Sequence, residues 1–347
     1  MLEGLCLKKY KARIEWIDVA RGLSMLLILY AHTIDGGKII SILQLFLVSV
    51  FFVLSGMVWR QAPNMKTLLM GLLKGVVIPY FFAGIVSIIL YLCAGSLFGK
   101  ASIGFGDCIR GLFYANSRTG LMVWCRPLWF LPCLVVVRII WELISHIKKT
   151  GLQYVVVLLI WAVAIVVYYT DLREWKLPWE FEVSLHALPY FVVGVMIKRH
   201  FKIPKRGEIK IWILLGVVAV CFGICVLMLH LNGNEHSFQY NHFGCYPLYV
   251  LGALAGTGMV IAVSMLIGKG KMLEWIGQNS LILLLWHKYP ILLFQLTGFG
   301  KKIMADPDSP VSILVGIVVT LVAAALSMLV GYVFAWIIGR IHGKKGE

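Results

Sequence analysis

Arg21 and His32 stand eleven residues apart in the mostly apolar run EWIDVARGLSMLLILYAHT. Eleven residues advance an α-helix by about three turns, so both side chains project from one stripe, about 16 Å apart along the axis. Ionisable side chains inside a membrane span cost ~2.5–3.5 kcal/mol each, so their presence needs a reason. A neutral imidazole can take up a proton there, which favours His32 as a general base or proton relay.

Asp18 and Asp35 extend this stripe, since one precedes Arg21 by three residues and the other follows His32 by three. In one interpretation these residues form a polar column that lines a pathway, and Asp35 orients the His32 ring and fixes its tautomer. In the other, Asp18 and Arg21 form an interfacial ion pair and His32 caps the outer end of the helix. The sequence leaves both interpretations open.

A second polar group lies late in the chain, in IGQNSLILLLWHKYP. Ser280 and His287 are seven residues apart, about two turns, and share one face of a helix. His287 and Lys288 are expected near mid-membrane, where the cost of adjacent cations indicates that they face a cavity. The alternative is a helix that kinks before Pro290, with the Lys288 amine extending toward the membrane surface.

The composition indicates what kind of protein positions these residues. Of 347 residues, 60% are hydrophobic and 14% are charged, with a mean hydropathy of +0.88. A soluble domain is nearer half apolar and a quarter charged, so a disordered chain, a collagen-like chain and an ordinary cytosolic enzyme are excluded. The net charge of +16 reflects Lys and Arg in cytoplasmic loops rather than nucleic-acid binding. No CxxC pair occurs among the eight cysteines, which predicts small hydrophobic residues rather than a disulfide framework or a metal site.

The fold class predicted is all-α, a polytopic transmembrane helix bundle with about ten spans. Apolar runs place the spans at roughly 14–33, 39–59, 75–95, 121–141, 152–169, 184–197, 211–230, 246–267, 280–297 and 311–339. With both termini cytoplasmic, the inner loops carry 20 Lys and Arg and the outer loops nine, which fits the positive-inside rule. The chain is expected to be a single integral-membrane domain over 1–347, with 1–13 as a cytoplasmic N-terminal segment and 340–347 as a cytoplasmic tail.

Several other positions carry groups that could contact a substrate. Ser55-Gly56 is also typical of close helix packing, and Trp129 and Arg126 could be a belt aromatic and an outer-loop charge. Lys74 is also typical of an anchor at the inner end of a span. The outer loop LNGNEHSFQYNHFG offers hydrogen-bonding groups and aromatic rings that would suit a sugar or simply face solvent; its candidates are Tyr240, Asn241 and His242.

Taken together, these motifs resemble the membrane acyltransferase-3 family. The resemblance rests on Arg21-x10-His32 and on five further segments in family order: FFVLSG (51–56), IPYFF (78–82), PLWFLPCL (127–134), YNHFGCYPLYVLGALAGT (240–257) and IGQNSLILLLWH (276–287). The fifth of these six motifs along the chain is most similar to the subgroup related to fucose 4-O-acetylases. One departure concerns the arginine cluster that the family often carries before its third helix, where this chain has only Lys74.

The resemblance implies O-acylation of a sugar, usually acetylation from cytoplasmic acetyl-CoA. Implied acceptors are polysaccharide repeats, lipid-linked sugars, lipopolysaccharide or other cell-surface glycans, and the implied location is the plasma membrane of a bacterium. The partners expected are therefore the lipid bilayer and a carbohydrate acceptor, with no nucleic acid and no metal. The oligomeric state is left open.

The expected mechanism assigns roles along the first helix. His32 takes a proton from the acceptor hydroxyl, which attacks the thioester carbonyl directly or through a transient acyl-histidine. Arg21, held through Asp18, contacts phosphate or pantetheine groups of the donor. If the family's arginine cluster binds the phosphate groups of the donor, then Lys66 and Lys74 must bind them in this chain, alone or together with other cations of the inner loops. Candidate oxyanion donors and substrate contacts are Ser55, Asn279 and Ser280, and His287 is placed with the substrate-binding residues.

Two other classes of function compete with this one. Intramembrane charges also mark the substrate paths of transporters, so a transporter or flippase for a lipid-linked or acylated sugar is the main alternative. Transporters often show internal repeats with broken helices, and no such repeat is visible in the sequence. A membrane sensing or anchoring module is disfavoured because no soluble partner domain accompanies the spans.

Overall fold

The computed structural model describes residues 14–98, 102–205 and 207–343, which form helices and loops without a β-strand. Segment 1–13 and the last four residues of the predicted tail lie outside the described residues. The α-helices are α1 (Glu15–Thr33), α2 (Lys38–Val58), α3 (Met65–Leu72), α4 (Ile78–Phe98), α5 (Phe105–Tyr114), α6 (Phe130–Ser145), α7 (Thr150–Tyr168), α8 (Phe181–His200), α9 (Ile211–Asn232), α10 (Tyr246–Ile267), α11 (Lys271–Gln278), α12 (Ser280–Trp286), α13 (Lys288–Leu296), α14 (Gly298–Met304) and α15 (Pro310–Gly343).

Eight helical stretches of the described chain are long and apolar enough to cross a membrane. They are Lys38–Val58, Met65–Gly95, Arg126–Ser145, Thr150–Tyr168, Pro178–His200, Ile211–Asn232, Tyr246–Ile267 and Pro310–Phe334. Each coincides with one of the ten predicted spans. The prediction of an all-α, multi-pass membrane bundle is therefore confirmed.

Helices also occupy the two remaining predicted spans. The first is α1, whose 19 residues extend for about 28 Å, close to the thickness of a bilayer core. It carries three charged residues, Glu15, Asp18 and Arg21, which lower its mean hydropathy. The second is divided at His287 into α12 and α13, so neither piece has the length of a span.

Several boundaries differ from the prediction, and two of these differences have identifiable reasons. The third span begins at Met65 rather than near residue 75, because the Asn64 side chain accepts a hydrogen bond from the Thr67 amide (2.8 Å) and caps the helix. A π-helical turn, Leu73–Val77, joins α3 to α4. The ninth predicted span is interrupted three residues before Pro290, whose ring disfavours a regular helix in the preceding turn.

The described residues group into two compact units. The first contains the residues up to Leu47, Pro204–Leu229 and the residues from Ala255 onward. Within it, α1 packs against α11, α12, α13 and α15. Its charged residues therefore lie among neighbouring helices of that unit.

The second unit contains Val48–Ile203 and His230–Leu254. Here α8 packs against α6 and α7 and, through glycines, against the end of α2. A Cβ atom added at Gly56 would collide with the Phe191 carbonyl, and one at Gly194 would collide with the Val53 carbonyl. These reciprocal contacts place Gly56 in a close helix contact, which agrees with the packing interpretation for that residue; the role of Ser55 stays a prediction.

Candidate active site

Close backbone contact with α11 fixes the rotation of α1. A Cβ atom on Gly22 would collide with the Leu273 carbonyl oxygen, and one on Gly277 would collide with the Asp18 carbonyl oxygen. Only glycine at both positions lets the two helices approach this closely. This contact determines where the polar stripe of α1 points.

Asp18 and Arg21 form an ion pair one turn apart at the start of α1. Their closest nitrogen and oxygen atoms are 4.0 Å apart, and the side chain of Asp18 is 6% exposed, against 25% for Arg21. This geometry agrees with the ion pair that the sequence suggested. The guanidinium of Arg21 is the more exposed member of the pair.

His32 and His287 meet at the other end of this stripe. Their rings lie 5.2 Å apart between centroids, with a tilt of 30° between the ring planes. The His32 side chain is exposed, whereas His287 is fully buried. The structure thus places an accessible imidazole directly against a shielded one.

The hydrogen bonding of His287 defines its tautomer. Its Nδ1 atom lies 2.8 Å from the Leu283 carbonyl oxygen, and because a carbonyl can only accept, Nδ1 carries the proton. The buried Nε2 atom then presents a lone pair, and it has no hydrogen-bond partner among the described residues. His287 is therefore held as a neutral imidazole with one acceptor site unused.

The end of α1 is fastened through its backbone rather than through the His32 ring. Gln295 of α13 donates to the carbonyl oxygens of His32 (2.8 Å) and Thr33 (3.4 Å). Asp35 lies exposed just beyond the helix and interacts with the His32 ring only through space, without a hydrogen bond to it. The orienting role predicted for Asp35 therefore stays a prediction, and the ring adjacent to His32 is that of His287.

Asn279 and Ser280 lie where α11 meets α12. The Asn279 amide donates to the Trp275 carbonyl oxygen (2.8 Å), and its oxygen accepts a hydrogen bond from the Tyr332 hydroxyl at 3.4 Å. Asn279 is thus already engaged in joining helices. Ser280 is half-buried, and no hydrogen bond to its hydroxyl occurs among the described residues, which leaves it the freer of the two predicted oxyanion donors in this unit.

The remaining helical candidates belong to the second unit. Ser55 is half-buried, and Trp129 is buried with its ring edge-on to Phe130, at 6.1 Å between centroids. Arg126 is exposed at the start of the fourth span. The predicted donor-binding lysines are exposed as well, one in α3 and one in the π-helical turn: Lys66 and Lys74.

The outer loop between α9 and α10 is folded into a tight turn. Ser237 and His242 exchange both backbone hydrogen bonds, at 2.8 and 2.9 Å, and Asn241 adopts a positive φ of 50°. Tyr240 and His242 are exposed, whereas Asn241 is buried. His236 donates through Nε2 to the Gly233 carbonyl oxygen, and burial lowers the pKa of its ring, which disfavours the charged form.

A family model described as an acyltransferase domain matches residues 14–337, which include every candidate site residue discussed above. The chain belongs to the membrane acyltransferase-3 family. It is accordingly a multi-pass membrane acyltransferase. No curated protein and no solved structure matches the chain.

In an acyltransferase-3 protein, the histidine pair provides groups suited to acyl transfer. An exposed neutral imidazole can remove the proton of an attacking hydroxyl, and the resulting imidazolium needs an acceptor for its second N–H. A centroid separation of 5.2 Å allows ring nitrogens that face each other to lie about 3 Å apart, which is hydrogen-bond distance. The unused Nε2 lone pair of His287 is the candidate for this acceptor, and in the structure it makes no hydrogen bond to the His32 ring.

A buried polar cluster in the second unit was missed by the sequence analysis. Glu182 accepts hydrogen bonds from the Asn116 side chain (2.7 Å) and the Leu177 amide (3.1 Å), and Arg118 lies 3.5 Å from it. Glu180 accepts from the Ser117 amide at 2.6 Å and is fully buried. The signal was the sequence PWEFEV, in which two carboxylates precede an apolar helix. These contacts join segment 115–119 to the start of α8.

Proposed function

We propose that this acyltransferase moves an acyl group, normally acetyl, from cytoplasmic acyl-CoA to a sugar hydroxyl. The acceptor is a cell-surface or exported polysaccharide or glycolipid. The observation that carries the proposal is the contact of exposed His32 with buried, neutral His287. The likeness to fucose 4-O-acetylases and the polar outer loop support a carbohydrate acceptor.

The reaction assigns one proton transfer to His32. Its neutral ring takes the proton of the acceptor hydroxyl as the oxygen attacks the thioester carbonyl carbon, and the new C–O bond forms. The C–S bond then breaks, and the coenzyme A thiolate leaves with the proton returned by His32. His287 accepts a hydrogen bond from the second N–H of His32 while that ring is positive, and the Asp35 carboxylate favours the same charge through space.

Two substitutions of His287 distinguish the role of its Nδ1 atom from that of its Nε2 atom. Asparagine can keep a donor near Nδ1 and its bond to the Leu283 carbonyl, but it removes the Nε2 lone pair. Glutamine can place its amide oxygen near the Nε2 position. If the lone pair assists His32, His287→Asn should lower the transfer rate about 100-fold, and His287→Gln should lower it less.

The measurement is the turnover rate of each variant at saturating donor, with the thermal unfolding temperature as a control for stability. Equal turnover by wild type and His287→Asn would show that the Nε2 atom does not assist the reaction. Equal losses in both variants, accompanied by lower unfolding temperatures, would assign a packing role to His287 instead.

Purified protein in a neutral detergent tests the proposed function itself. We would supply acetyl-CoA labelled in its acetyl group together with free sugars, lipid-linked sugars or base-treated cell-surface glycan. The proposal predicts label in a base-labile ester on one of these acceptors. Label that resists base would contradict O-acylation, and absence of transfer from any acyl-CoA would return the transporter alternative to consideration.

A further inference from the structure

Four cationic side chains converge in the second unit, on the face predicted to be cytoplasmic. Arg60 follows the end of α2, Arg138 lies in α6, and Lys198 and Arg199 lie in the last turn of α8. Lys198 is within electrostatic range of both Arg60 and Arg199, and its amine donates to the Trp59 carbonyl oxygen. Arg60, Lys198 and Arg199 therefore lie together where α2 and α8 end, and Arg138 is linked to them through Glu142, which is hydrogen-bonded to Trp59.

Arg199 is held in place although it is exposed. Its guanidinium lies 5.5 Å from the ring centroid of Trp59 and 5.3 Å from that of Trp141, and it donates to the Gln153 side-chain oxygen at 2.6 Å. The two tryptophan rings contact each other edge-on. A Lys or Arg that only keeps a loop on the cytoplasmic side of the membrane needs no aromatic contacts or side-chain hydrogen bonds to hold it in place. Here the aromatic contacts fix a planar group with several donors at the surface.

One buried carboxylate, Glu142, lies among these cations, and its oxygen atoms are already used. It accepts hydrogen bonds from the Ala62 amide (2.9 Å) and from the Trp59 indole (3.3 Å), and it is 1% exposed. It also interacts electrostatically with Arg138. Its one negative charge is outnumbered by the three positive charges of Arg138, Lys198 and Arg199, so these groups keep an excess of positive charge.

Three of these cations, Arg138, Lys198 and Arg199, are short of anionic partners. Among the described residues, no ion pair at or below 4.0 Å joins Arg138, Lys198 or Arg199 to a carboxylate. The buried Nε atom of Arg138 has no hydrogen-bond partner there either. Like charges held together repel one another, and an anion with several acceptor oxygens relieves that repulsion.

We propose that Arg60, Arg138, Lys198 and Arg199 form a binding site for a phosphate group. Guanidinium groups match phosphate oxygens with paired hydrogen bonds, and the fixed fork of Arg199 suits that geometry. Two cytoplasmic sources carry this chemistry, the nucleotide end of coenzyme A and the headgroup of an anionic phospholipid. The first source rests on the proposed function, whereas the second is independent of it.

The test compares two double variants with the same change of charge. Lys198→Gln with Arg199→Gln removes two cations from the cluster. Lys148→Gln with Lys149→Gln removes two exposed cations from a neighbouring loop on the same predicted face. Binding of coenzyme A to purified protein is measured by calorimetry in neutral detergent, at two salt concentrations. Binding of anionic lipid is measured as the rise in unfolding temperature between phosphatidylcholine and phosphatidylglycerol nanodiscs.

The cluster variant should bind coenzyme A at least about tenfold more weakly than wild type, and its affinity should depend less on salt. The affinity of the control variant should stay within about twofold of wild type. If the ligand is a lipid headgroup, the cluster variant should instead lose the phosphatidylglycerol effect. Two single variants guard against misfolding. Arg199→Lys keeps the charge and should lose part of the affinity, and Arg138→Gln leaves the tryptophan contacts intact.

Unchanged affinity of the cluster variant and of Arg138→Gln for both ligands would overturn the proposal. So would wild-type protein that binds neither ligand, or equal losses in the cluster and control variants. Because the readout is binding, it does not depend on His32. Protein that binds coenzyme A but transfers no acyl group would support this site while contradicting the proposed function.

Discussion

Replacing His32 with alanine should lower acyl transfer about 1000-fold while the folded protein remains in the membrane. The loss corresponds to removal of a general base, which contributes about 100- to 10,000-fold. The fold should persist because the side chain is exposed, so its removal leaves no buried cavity. The contact that fastens the end of α1 also survives, since Gln295 binds the backbone carbonyl of residue 32.

The measurement uses membranes that contain equal amounts of wild-type or variant protein, and it follows transfer of labelled acetyl into base-labile esters. Asp35→Asn is the matched control, since it changes a polar group one turn away that makes no hydrogen bond to the ring. We expect it to lower the rate less than tenfold by removing a through-space charge effect. A His32→Ala rate within tenfold of wild type would exclude His32 as the base.

Replacing Gly277 with leucine should prevent correct folding. The added Cβ atom alone would collide with the Asp18 carbonyl oxygen, which belongs to a helix backbone and cannot move independently. Overpacking of side chains costs about 1–3 kcal/mol, and a clash with backbone in a helix contact should exceed that range. Since the same contact sets the rotation of α1, Gly22→Leu should have a similar effect through the Leu273 carbonyl.

Gly223→Leu is the control for this substitution. Gly223 also lies inside a long apolar helix, but a Cβ atom added there meets nothing within 4 Å. The control, purified in detergent, should give a size-exclusion profile and an unfolding temperature near those of wild type. Gly277→Leu and Gly22→Leu should elute as aggregates or unfold at a strongly lowered temperature. Stable, monodisperse Gly277→Leu protein would show that α1 and α11 do not pack as described.

Most of the fold follows from local sequence properties. Apolar runs located the eight helical stretches long enough to cross a membrane and also α1, since a helix of about 20 apolar residues is the simplest structure that satisfies its backbone in lipid. Local details were less accessible. Asn64 extends the third span by capping it, and the helix interruption at His287 lies three residues before Pro290, in agreement with the alternative that this helix kinks before the proline.

The candidate site was predictable only in part. The spacing of Arg21 and His32 along one helix is a local property, and both residues lie in α1. Asp35, expected on the same helix face, lies instead beyond the end of α1, because the backbone becomes extended at Ile34. The contact of His32 with His287 joins residues far apart in sequence, so helical periodicity alone could not show it. The same is true of the cluster around Arg199, whose members come from three helices. Such contacts depend on tertiary packing, which in α1 is set by two glycines.

His32 is proposed to be the base that activates the hydroxyl attacking the thioester of a coenzyme A donor. The most direct test of this proposal is release of coenzyme A from acetyl-CoA by purified protein in detergent without acceptor, where water replaces the sugar hydroxyl. The account predicts slow release by wild type and release at the uncatalysed rate by His32→Ala. Equal release by both proteins, or none by either together with no acetyl-CoA binding, would contradict it.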